Sequence, residues 1–318
     1  MPYIHNIDPV IGTIFGVHLW WYGLSYTLGF FNAFKFIDRR RSNLRLTETQ
    51  VYDLAILITI GVLIGGRAVE VIFYEWDFYR ENLKLIPAYW LGGMASHGLL
   101  IGGLVAVWIF CRITGKPFLM MTDLLAAPAS FILGVGRIGN FIDGQILGSV
   151  TTVPWSVKFP DAEGFRHPVV LYDGIKNLLI IPILLFVAKR NPPPGFVTGF
   201  FLFLYSCLRI PIDVFREYPT SLLGLATGQA LNIALSVVGI FLMILVFRLS
   251  QRDDRPRSSE TQGANVRWRK PLFISILAFC LVMPSDWTQD VPARYGARHP
   301  GLVHSAIYPQ LETTVAAE

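Results

Sequence analysis

Seven long apolar runs constrain this chain more than any other feature of its sequence. Each run has about 20 residues, the length of an α-helix that crosses the hydrocarbon core of a bilayer. Charged residues make up 15% of the 318 residues, against about 25% in ordinary soluble domains, so this much apolar surface cannot be buried in a soluble globule. We therefore predict an all-α integral membrane protein, a polytopic bundle of seven transmembrane helices near residues 14–36, 51–74, 91–111, 118–142, 169–188, 196–215 and 224–247.

Three segments follow the membrane domain that we expect over residues 1–247. Residues 248–270 are rich in Arg, Asp and Ser, which is typical of a basic cytoplasmic linker. The apolar run 271–284 is shorter than the roughly 17 to 25 residues of a normal span. It predicts a short helix that is either an eighth span or interfacial. Residues 285–318 form a polar tail, which could cover or gate a site if the short helix crosses the membrane.

The distribution of basic residues predicts how the chain is oriented. One set of alternate loops carries 16 Lys and Arg residues and the other carries seven. Loops richer in Lys and Arg stay in the cytoplasm, so the amino terminus is expected outside. The same rule accounts for the formal net charge of +5, and no nucleic-acid partner is expected.

The three cysteines each lie in an apolar run, which excludes a secreted disulfide scaffold.

Four basic residues lie within or at the edge of the apolar runs: Arg67, Arg137, Lys176 and Arg209. A charged side chain in a bilayer costs about 2.5 to 3.5 kcal/mol on insertion scales, so it needs a partner or a task. Arg67 could be neutralised by Glu70, three residues later. The other arginines have fewer acidic neighbours in their own runs, and a functional role is expected for them.

Arg137 and Arg209 lie in polar stripes that suit an anion. Arg137 and Asn140 are three residues apart and share one helical face. Tyr205, Arg209 and Asp213 follow at intervals of four and form a second stripe. Guanidinium binds phosphate bidentately and keeps its charge at any relevant pH. The phosphate of an anionic phospholipid is therefore the favoured ligand.

His97 lies in a glycine-rich segment of the third run. A lone histidine in an apolar helix is often only a packing residue, and that alternative stays open. With an ordinary pKa of about 6.5, histidine can also accept a proton near neutral pH, which makes His97 a candidate base. The sequence shows no cluster of metal ligands with regular spacing. No metal ion or organic cofactor is expected.

From about Asp8 to Phe247, these segments together resemble the prolipoprotein diacylglyceryl transferases of bacteria. The most specific block is Gly136-Arg137-Ile138-Gly139-Asn140-Phe141. Weaker motifs occur in matching order: Trp21-Tyr22-Gly23, Gly65-Gly66-Arg67, Gly92-Gly93-Met94, Ser96-His97-Gly98, Arg166-His167-Pro168, Leu171-Tyr172, Tyr205 with Arg209, and Gly228-Gln229. The resemblance implies the family's seven-span topology with an external amino terminus, in the bacterial cytoplasmic (inner) membrane.

The resemblance also implies a reaction. The family moves the diacylglyceryl group of phosphatidylglycerol onto the thiol of a prolipoprotein's lipobox cysteine, forming a thioether and releasing glycerol phosphate. By this resemblance Arg137 and Arg209 hold the phosphate, and Asn140 and Tyr205 orient it by hydrogen bonds. Arg67 is expected to add a contact to phosphatidylglycerol.

Two further roles come from the same resemblance. Tyr22 is expected to line the lipid cavity. A thiol with a pKa of about 8.5 must become a thiolate, and His97 is the favoured residue for that step, with Tyr205 beside Arg209 as the alternative base. The implied partners are phosphatidylglycerol, the prolipoprotein signal peptide with its lipobox cysteine, and membrane lipids.

The chain also departs from the family pattern. Asp143-Gly144-Gln145 stands where the family usually has Asn-Gly-Glu, so an acid and an amide have changed places. The departure keeps a second reading open, a divergent paralogue that binds anionic lipid or uses another acceptor without this turnover. A third reading, a transporter with an arginine-lined path, predicts two similar halves with broken helices. The sequence shows no such duplication.

The run beyond the family pattern has the form of a lipoprotein signal sequence placed late in the chain. Arg267-Trp268-Arg269-Lys270 is followed by an apolar stretch that ends at Cys280. A lipobox needs a small residue before its cysteine, and this chain has Phe279 there. We therefore expect an ordinary short helix here and no modification of the chain by itself.

Overall fold

The computed structural model describes residues 2–160, 162–216, 227–249 and 266–285. Within these ranges the side chains of Ser96, His97, Thr227 and Leu231 are not described. Most of the predicted linker 248–270 and nearly all of the predicted tail 285–318 therefore lie outside the described residues. The proposed covering of a site by the tail lies outside them as well.

Helices make up most of the described chain. Their bounds are α1 Trp21–Arg40, α2 Glu48–Val69, α3 Trp76–Glu81, α4 Ser96–Thr114, α5 Phe118–Ile142, α6 Val169–Ala188, α7 Phe196–Asp213, α8 Thr227–Leu249 and α9 Arg269–Cys280. A π-helical turn, Glu70–Tyr74, continues α2, and two 3-10 turns, Leu83–Leu85 and Tyr89–Leu91, lie between α3 and α4.

Five of the described helices are long and apolar enough to cross a membrane. They are α2 with its π-helical turn, α5, α6, α7 and the part of α8 from Asn232 to Leu249. The predicted helical, multi-pass membrane fold is therefore confirmed at this level. Helices α1 and α4, with 20 and 19 residues, lie at the positions of the first and third predicted spans.

The first predicted span is wrong over residues 14–20. Strands β2 (Val10–Ile14) and β3 (Val17–Trp20) form an antiparallel hairpin there, and the helix begins only at Trp21. Val, Ile and Thr are frequent in this segment, and β-branched residues favour strands. A short parallel ladder joins β1 (Tyr3–Ile4) to β4 (Val157–Lys158). Small strands are thus added to the predicted all-α fold at the end of the molecule where α1 begins.

Helices α5, α6 and α7 pack together and carry most of the polar residues singled out above. Asp123 on α5 fixes the start of α7, because its carboxylate accepts hydrogen bonds from the backbone N–H of Gly195 and of Thr198, both at 2.7 Å. A carboxylate at a helix amino terminus is favoured by the helix dipole. This connection sets the position of α7 relative to α5.

The helix predicted within residues 271–284 is α9, which begins two residues earlier and ends at Cys280. Its 12 residues span about 18 Å at 1.5 Å per residue, less than the roughly 30 Å of a bilayer core. Helix α9 packs against α1 and α2.

Candidate functional site

A buried carboxylate on α6 is the centre of the polar cluster. The side chain of Asp173 is 1% exposed, and its Oδ2 accepts a hydrogen bond from Nε of Arg137 at 2.7 Å. The same oxygen accepts a second hydrogen bond from Nη1 of Arg209. On the other side of the carboxylate, Nζ of Lys176 lies 2.9 Å from Oδ1. One carboxylate thus joins three cations from α5, α6 and α7.

A glycine allows α6 to come this close to Arg137. A Cβ atom on Gly174 would lie 3.2 Å from Cβ of Arg137 and 3.2 Å from the carbonyl oxygen of Gly134. Such contacts are tighter than a side chain normally makes, so a larger residue would push α6 away from α5. The contact places Asp173, the neighbouring residue in the chain, beside the guanidinium.

A second carboxylate holds Arg209 from its own helix. Nε of Arg209 donates to Oδ1 of Asp213 at 2.8 Å, the i,i+4 pair that the sequence spacing predicts. The other oxygen of Asp213 accepts from Nδ2 of Asn232 on α8 at 3.0 Å. Arg209 is therefore held by two carboxylates and is 7% exposed.

The cluster carries more positive than negative charge. Three cations face two carboxylates, and a further arginine, Arg216, lines the same narrow space as Arg137 and Arg209. Nη1 of Arg137 donates to Oδ1 of Asn140 at 3.2 Å. The hydrogen bonds that the structure shows for Arg137 and Arg209 use Nε and Nη1 of each guanidinium. Paired planar donors with excess positive charge suit a phosphate.

Aromatic residues border the cluster on two sides. Lys176 Nζ lies 4.2 Å from the ring centroid of Tyr205 and donates to the carbonyl oxygen of Tyr205 at 3.2 Å. On α1, the Tyr22 hydroxyl donates to the Tyr26 hydroxyl at 3.2 Å. Both tyrosines lie beside the stretch of α5 that carries Arg137. A Cβ at Gly136 would lie 4.0 Å from the Tyr26 hydroxyl oxygen, and a Cβ at Gly139 would lie 3.0 Å from Cδ2 of Tyr22. The site therefore has phenolic hydroxyls close to its guanidinium groups.

Comparison with known proteins identifies the family. The family model described as prolipoprotein diacylglyceryl transferase matches residues 9–245. The chain belongs to this family. Proteins named phosphatidylglycerol–prolipoprotein diacylglyceryl transferase are similar along nearly their whole length. The one from Geobacter sulfurreducens is 37% identical over 253 residues, covering 76% of this chain and 96% of the relative. The one from Pseudoalteromonas atlantica is 35% identical over 271 residues, covering 81% and 97%.

The structure brings together most of the site residues expected from this family. Arg137, Asn140 and Arg209 are joined by direct or Asp173-mediated hydrogen bonds, and Tyr205 lies against Lys176. Tyr22 lies on the adjacent helix α1. The backbone of α4 places His97 in its first turn, whereas its side chain lies outside the described residues.

Arg67 has a different environment. Its guanidinium donates to backbone carbonyls of the segment before α4, including Nε to Ile86 at 2.7 Å and Nη2 to Leu85 at 2.8 Å. Glu70 interacts with Arg67 electrostatically, as the sequence spacing suggested. These contacts indicate that Arg67 holds this segment in place. Its contact with phosphatidylglycerol stays a prediction.

Sequence reasoning missed three residues of the site: Asp173, Arg216 and Tyr26. Asp173 and Lys176 are three residues apart in an otherwise apolar run, a spacing typical of a helical ion pair, so that pair was available as a signal. Arg216 is one of the seven Lys and Arg residues of the less basic set of loops, and its loop position does not indicate that it reaches the site. No feature of the sequence indicates that Asp173 reaches across to Arg137 and Arg209.

Proposed function

We propose that this chain transfers the diacylglyceryl group of phosphatidylglycerol to the lipobox cysteine of prolipoproteins, the first step of lipoprotein maturation. The observation that carries the proposal is the convergence of the Arg137 and Arg209 guanidiniums on one buried carboxylate. That arrangement leaves one nitrogen of each guanidinium for a phosphate. Relatives at 35–37% identity carry this activity in their names.

The chemistry requires one bond to form and one to break. The thiolate sulfur attacks the glycerol carbon that bears the phosphate ester, the new S–C bond forms, and the C–O bond to phosphate breaks. Glycerol phosphate leaves with the electron pair, and the thiol proton passes to a base. Arg137 and Arg209 would stabilise the negative charge that grows on the departing phosphate. Asn140 would orient Arg137, and Tyr205 would orient the phosphate.

The base is a choice between two candidates. His97 is a candidate because histidine, with an unperturbed pKa of about 6.5, is the side chain best suited to accept a proton near neutral pH. Tyr205 lies beside the cationic cluster, as its contact with Lys176 indicates. We favour His97, because a phenol ordinarily keeps its proton up to a pH of about 10.

The proposal includes a topology. Seven spans, α1, α2 and α4 to α8, place the amino terminus outside and the basic segment 248–270 in the cytoplasm of a bacterium, with the chain in its inner membrane. The excess of Lys and Arg on one side supports this orientation. Tyr22 and Tyr26 would line the lipid cavity, and Arg67 would position the segment that leads into α4.

The test is transfer from phosphatidylglycerol in liposomes to a synthetic lipobox peptide, read by mass spectrometry. We expect a mass gain of one diacylglyceryl group with the wild-type chain and no gain with Arg137→Ala. If folded wild-type protein binds the lipid and produces no gain, the transferase proposal fails. The divergent paralogue without this turnover would then be favoured, although the names of the relatives do not favour it at present.

A further inference from the structure

Helix α9 is docked on the membrane domain although it lies beyond the family match. The match ends at residue 245, whereas α9 begins at Arg269. The surface that receives α9 therefore belongs to the family domain, and its occupant here is an addition. We call this surface the α9 groove and define it by Gly23, Thr27 and Phe34 on α1 and by Tyr52 and Asp53 on α2.

The basic end of α9 meets an acidic residue of the groove. Nε of Arg269 donates to Oδ1 of Asp53 at 2.5 Å, and Nη2 of Arg269 donates to Oδ2 at 3.3 Å. Asp53 is near the start of α2, and the chain just before α2 carries the basic residues Arg39, Arg40, Arg41 and Arg45. This end of α9 therefore lies at the end of the molecule that we assign to the cytoplasm.

The middle of α9 is held by apolar packing and one hydrogen bond. The ring of Phe273 lies 5.2 Å from that of Phe34 and 6.4 Å from that of Tyr52. Thr27 Oγ1 donates to the carbonyl oxygen of Leu277 at 2.9 Å. Helix α9 thus runs antiparallel to α1 along the groove.

The far end of α9 approaches the site. Gly23 has no room for a Cβ, because the carbonyl oxygen of Cys280 occupies that position. The Cys280 side chain is buried in one apolar cluster with Tyr22 and Tyr26. Tyr26 in turn lies beside α5, because a Cβ at Gly136, the residue before Arg137, would lie 4.0 Å from the Tyr26 hydroxyl oxygen. The end of α9 therefore lies in one cluster with Tyr22 and Tyr26, the two tyrosines of α1 that border the cationic cluster.

The segment after α9 is hydrogen-bonded to Asp143, one of the two residues at which the chain departs from the family pattern. Oδ2 of Asp143 accepts hydrogen bonds from Oγ of Ser285 at 2.8 Å and from its backbone N–H at 3.2 Å. Asp143 is 4% exposed and directly follows α5, the helix that carries Arg137 and Asn140. Asp143, the acid at the position where the family usually has Asn, therefore binds Ser285, a residue beyond the family match.

We propose that the α9 groove is the docking surface for the signal-peptide helix of the acceptor, and that α9 is an internal stand-in which the acceptor displaces. Basic residues, an apolar helix and a cysteine follow one another in α9, and the groove holds them with the basic end on Asp53 and the cysteine end beside Tyr22 and Tyr26. Phe279 replaces the small lipobox residue and keeps α9 from being a substrate. This inference rests on the proposed function.

Cys280 reports directly on displacement, because it is 0% exposed while α9 is docked, whereas Cys207 is exposed. The test uses the full chain in phosphatidylcholine nanodiscs and a lipobox peptide with Ser in place of Cys, so that no transfer can occur. N-ethylmaleimide labelling of Cys280 is followed by mass spectrometry, with Cys207 as the internal reference. We expect Cys280 labelling to rise with peptide concentration and to saturate. A peptide with Asp residues in its apolar stretch should have no effect.

Two pairs of variants test the groove by peptide affinity, measured by fluorescence anisotropy. Arg269→Gln removes the ion pair with Asp53 and should tighten peptide binding about threefold to fivefold, while Lys270→Gln, at the next, exposed residue, should not. Phe273→Ala removes a buried ring and should tighten binding more, while Ile274→Ala, at an exposed position, should not.

The outcomes separate this inference from the proposed function. Transfer to a cysteine-containing peptide with no peptide-dependent change in Cys280 labelling overturns the α9 inference alone. Peptide-dependent labelling without transfer supports the groove and overturns only the proposed activity. Equal peptide affinity in Phe273→Ala and Ile274→Ala overturns the stand-in role, because a purely structural α9 would affect folding and not affinity.

Discussion

Arg137 donates hydrogen bonds from two of its three guanidinium nitrogens, Nε to Asp173 and Nη1 to Asn140. Under the proposed function the third nitrogen binds the lipid phosphate. Lysine at this position keeps the charge and loses the planar fork. We expect Arg137→Ala to lower the transfer rate about 100-fold to 1,000-fold, and Arg137→Lys to recover only part of the loss. Rates at saturating phosphatidylglycerol measure this, with Arg112→Lys on exposed Arg112 as the control. Full activity in Arg137→Lys would show that the planar guanidinium is not required at this position.

Asp173 balances three cations, so its removal leaves buried positive charge without a partner. We expect Asp173→Asn to lower the free energy of unfolding by about 3 to 5 kcal/mol. The loss should be partly reversed in phosphatidylglycerol vesicles, because the lipid phosphate supplies an anion at the same place. Thermal unfolding in phosphatidylglycerol and in phosphatidylcholine measures the difference, with Asp77→Asn on the surface as the control. Equal losses in both lipids would contradict phosphate binding here.

The two candidate bases differ in the pH dependence that they impose. A histidine base loses its proton near a pH of about 6.5, so the wild-type rate should rise through that region and level off above it. His97→Gln should remove this rise and lower the rate. Tyr205→Phe should keep the rise if the tyrosine only orients the phosphate. A His97→Gln variant with the wild-type rate and profile from about pH 6 to 9 would eliminate His97 as the base.

At the residue scale, spacing predicted contacts within one helix and not contacts between helices. The pairs Arg137 with Asn140 and Arg209 with Asp213 follow from intervals of three and four residues, and both form. Asp173 was missed because its contacts with both arginines depend on how α6 packs between α5 and α7. The packing of Cys280 against Tyr22 and Tyr26 depends likewise on a helix more than 240 residues away in the chain.

At the scale of elements, apolar runs located the helices but not all of their ends. The first run includes a β-hairpin, because apolar content alone does not distinguish a β-branched strand from a helix. The third run was expected from residue 91, whereas α4 begins at Ser96 after a 3-10 turn. The position of α9 was predictable from its apolar run. Its docking on α1 and α2 was not.

The contact between α5 and α6 gives a prediction at this scale. Gly174→Ala would force Arg137 and the α6 backbone apart by a few tenths of an ångström. We expect transfer to fall about tenfold with little change in lipid affinity, because small misplacements of a reacting centre are costly in rate. Gly103→Ala, where a Cβ would meet only the Val62 side chain at 3.4 Å, is the control. Equal rates in the two variants would show that the α5–α6 spacing does not set the site geometry.

At the scale of the whole molecule, orientation decides from which side the thiol and the phosphate reach the site. A Cβ at Gly139 on α5 would lie 2.9 Å from the Tyr22 backbone, so the cationic cluster lies near the end of α1 that follows the β-hairpin. The opposite end of α1 carries Arg39, Arg40 and Arg41. The distribution of Lys and Arg puts that basic end in the cytoplasm and the site towards the outer face.

Two introduced cysteines test this orientation. Phe15 is 99% exposed at the tip of the β-hairpin, and the Arg41 side chain is 46% exposed at the other end of α1. In intact spheroplasts, a membrane-impermeant maleimide should label Phe15→Cys at once and Arg41→Cys only after permeabilisation, relative to the parent chain. The reverse pattern would place the cluster at the cytoplasmic face. A signal peptide that inserts with its basic end in the cytoplasm holds its cysteine at the outer face, so that cysteine could not reach the cluster. The outward orientation is therefore a condition of the proposed reaction as well as a consequence of the loop charges.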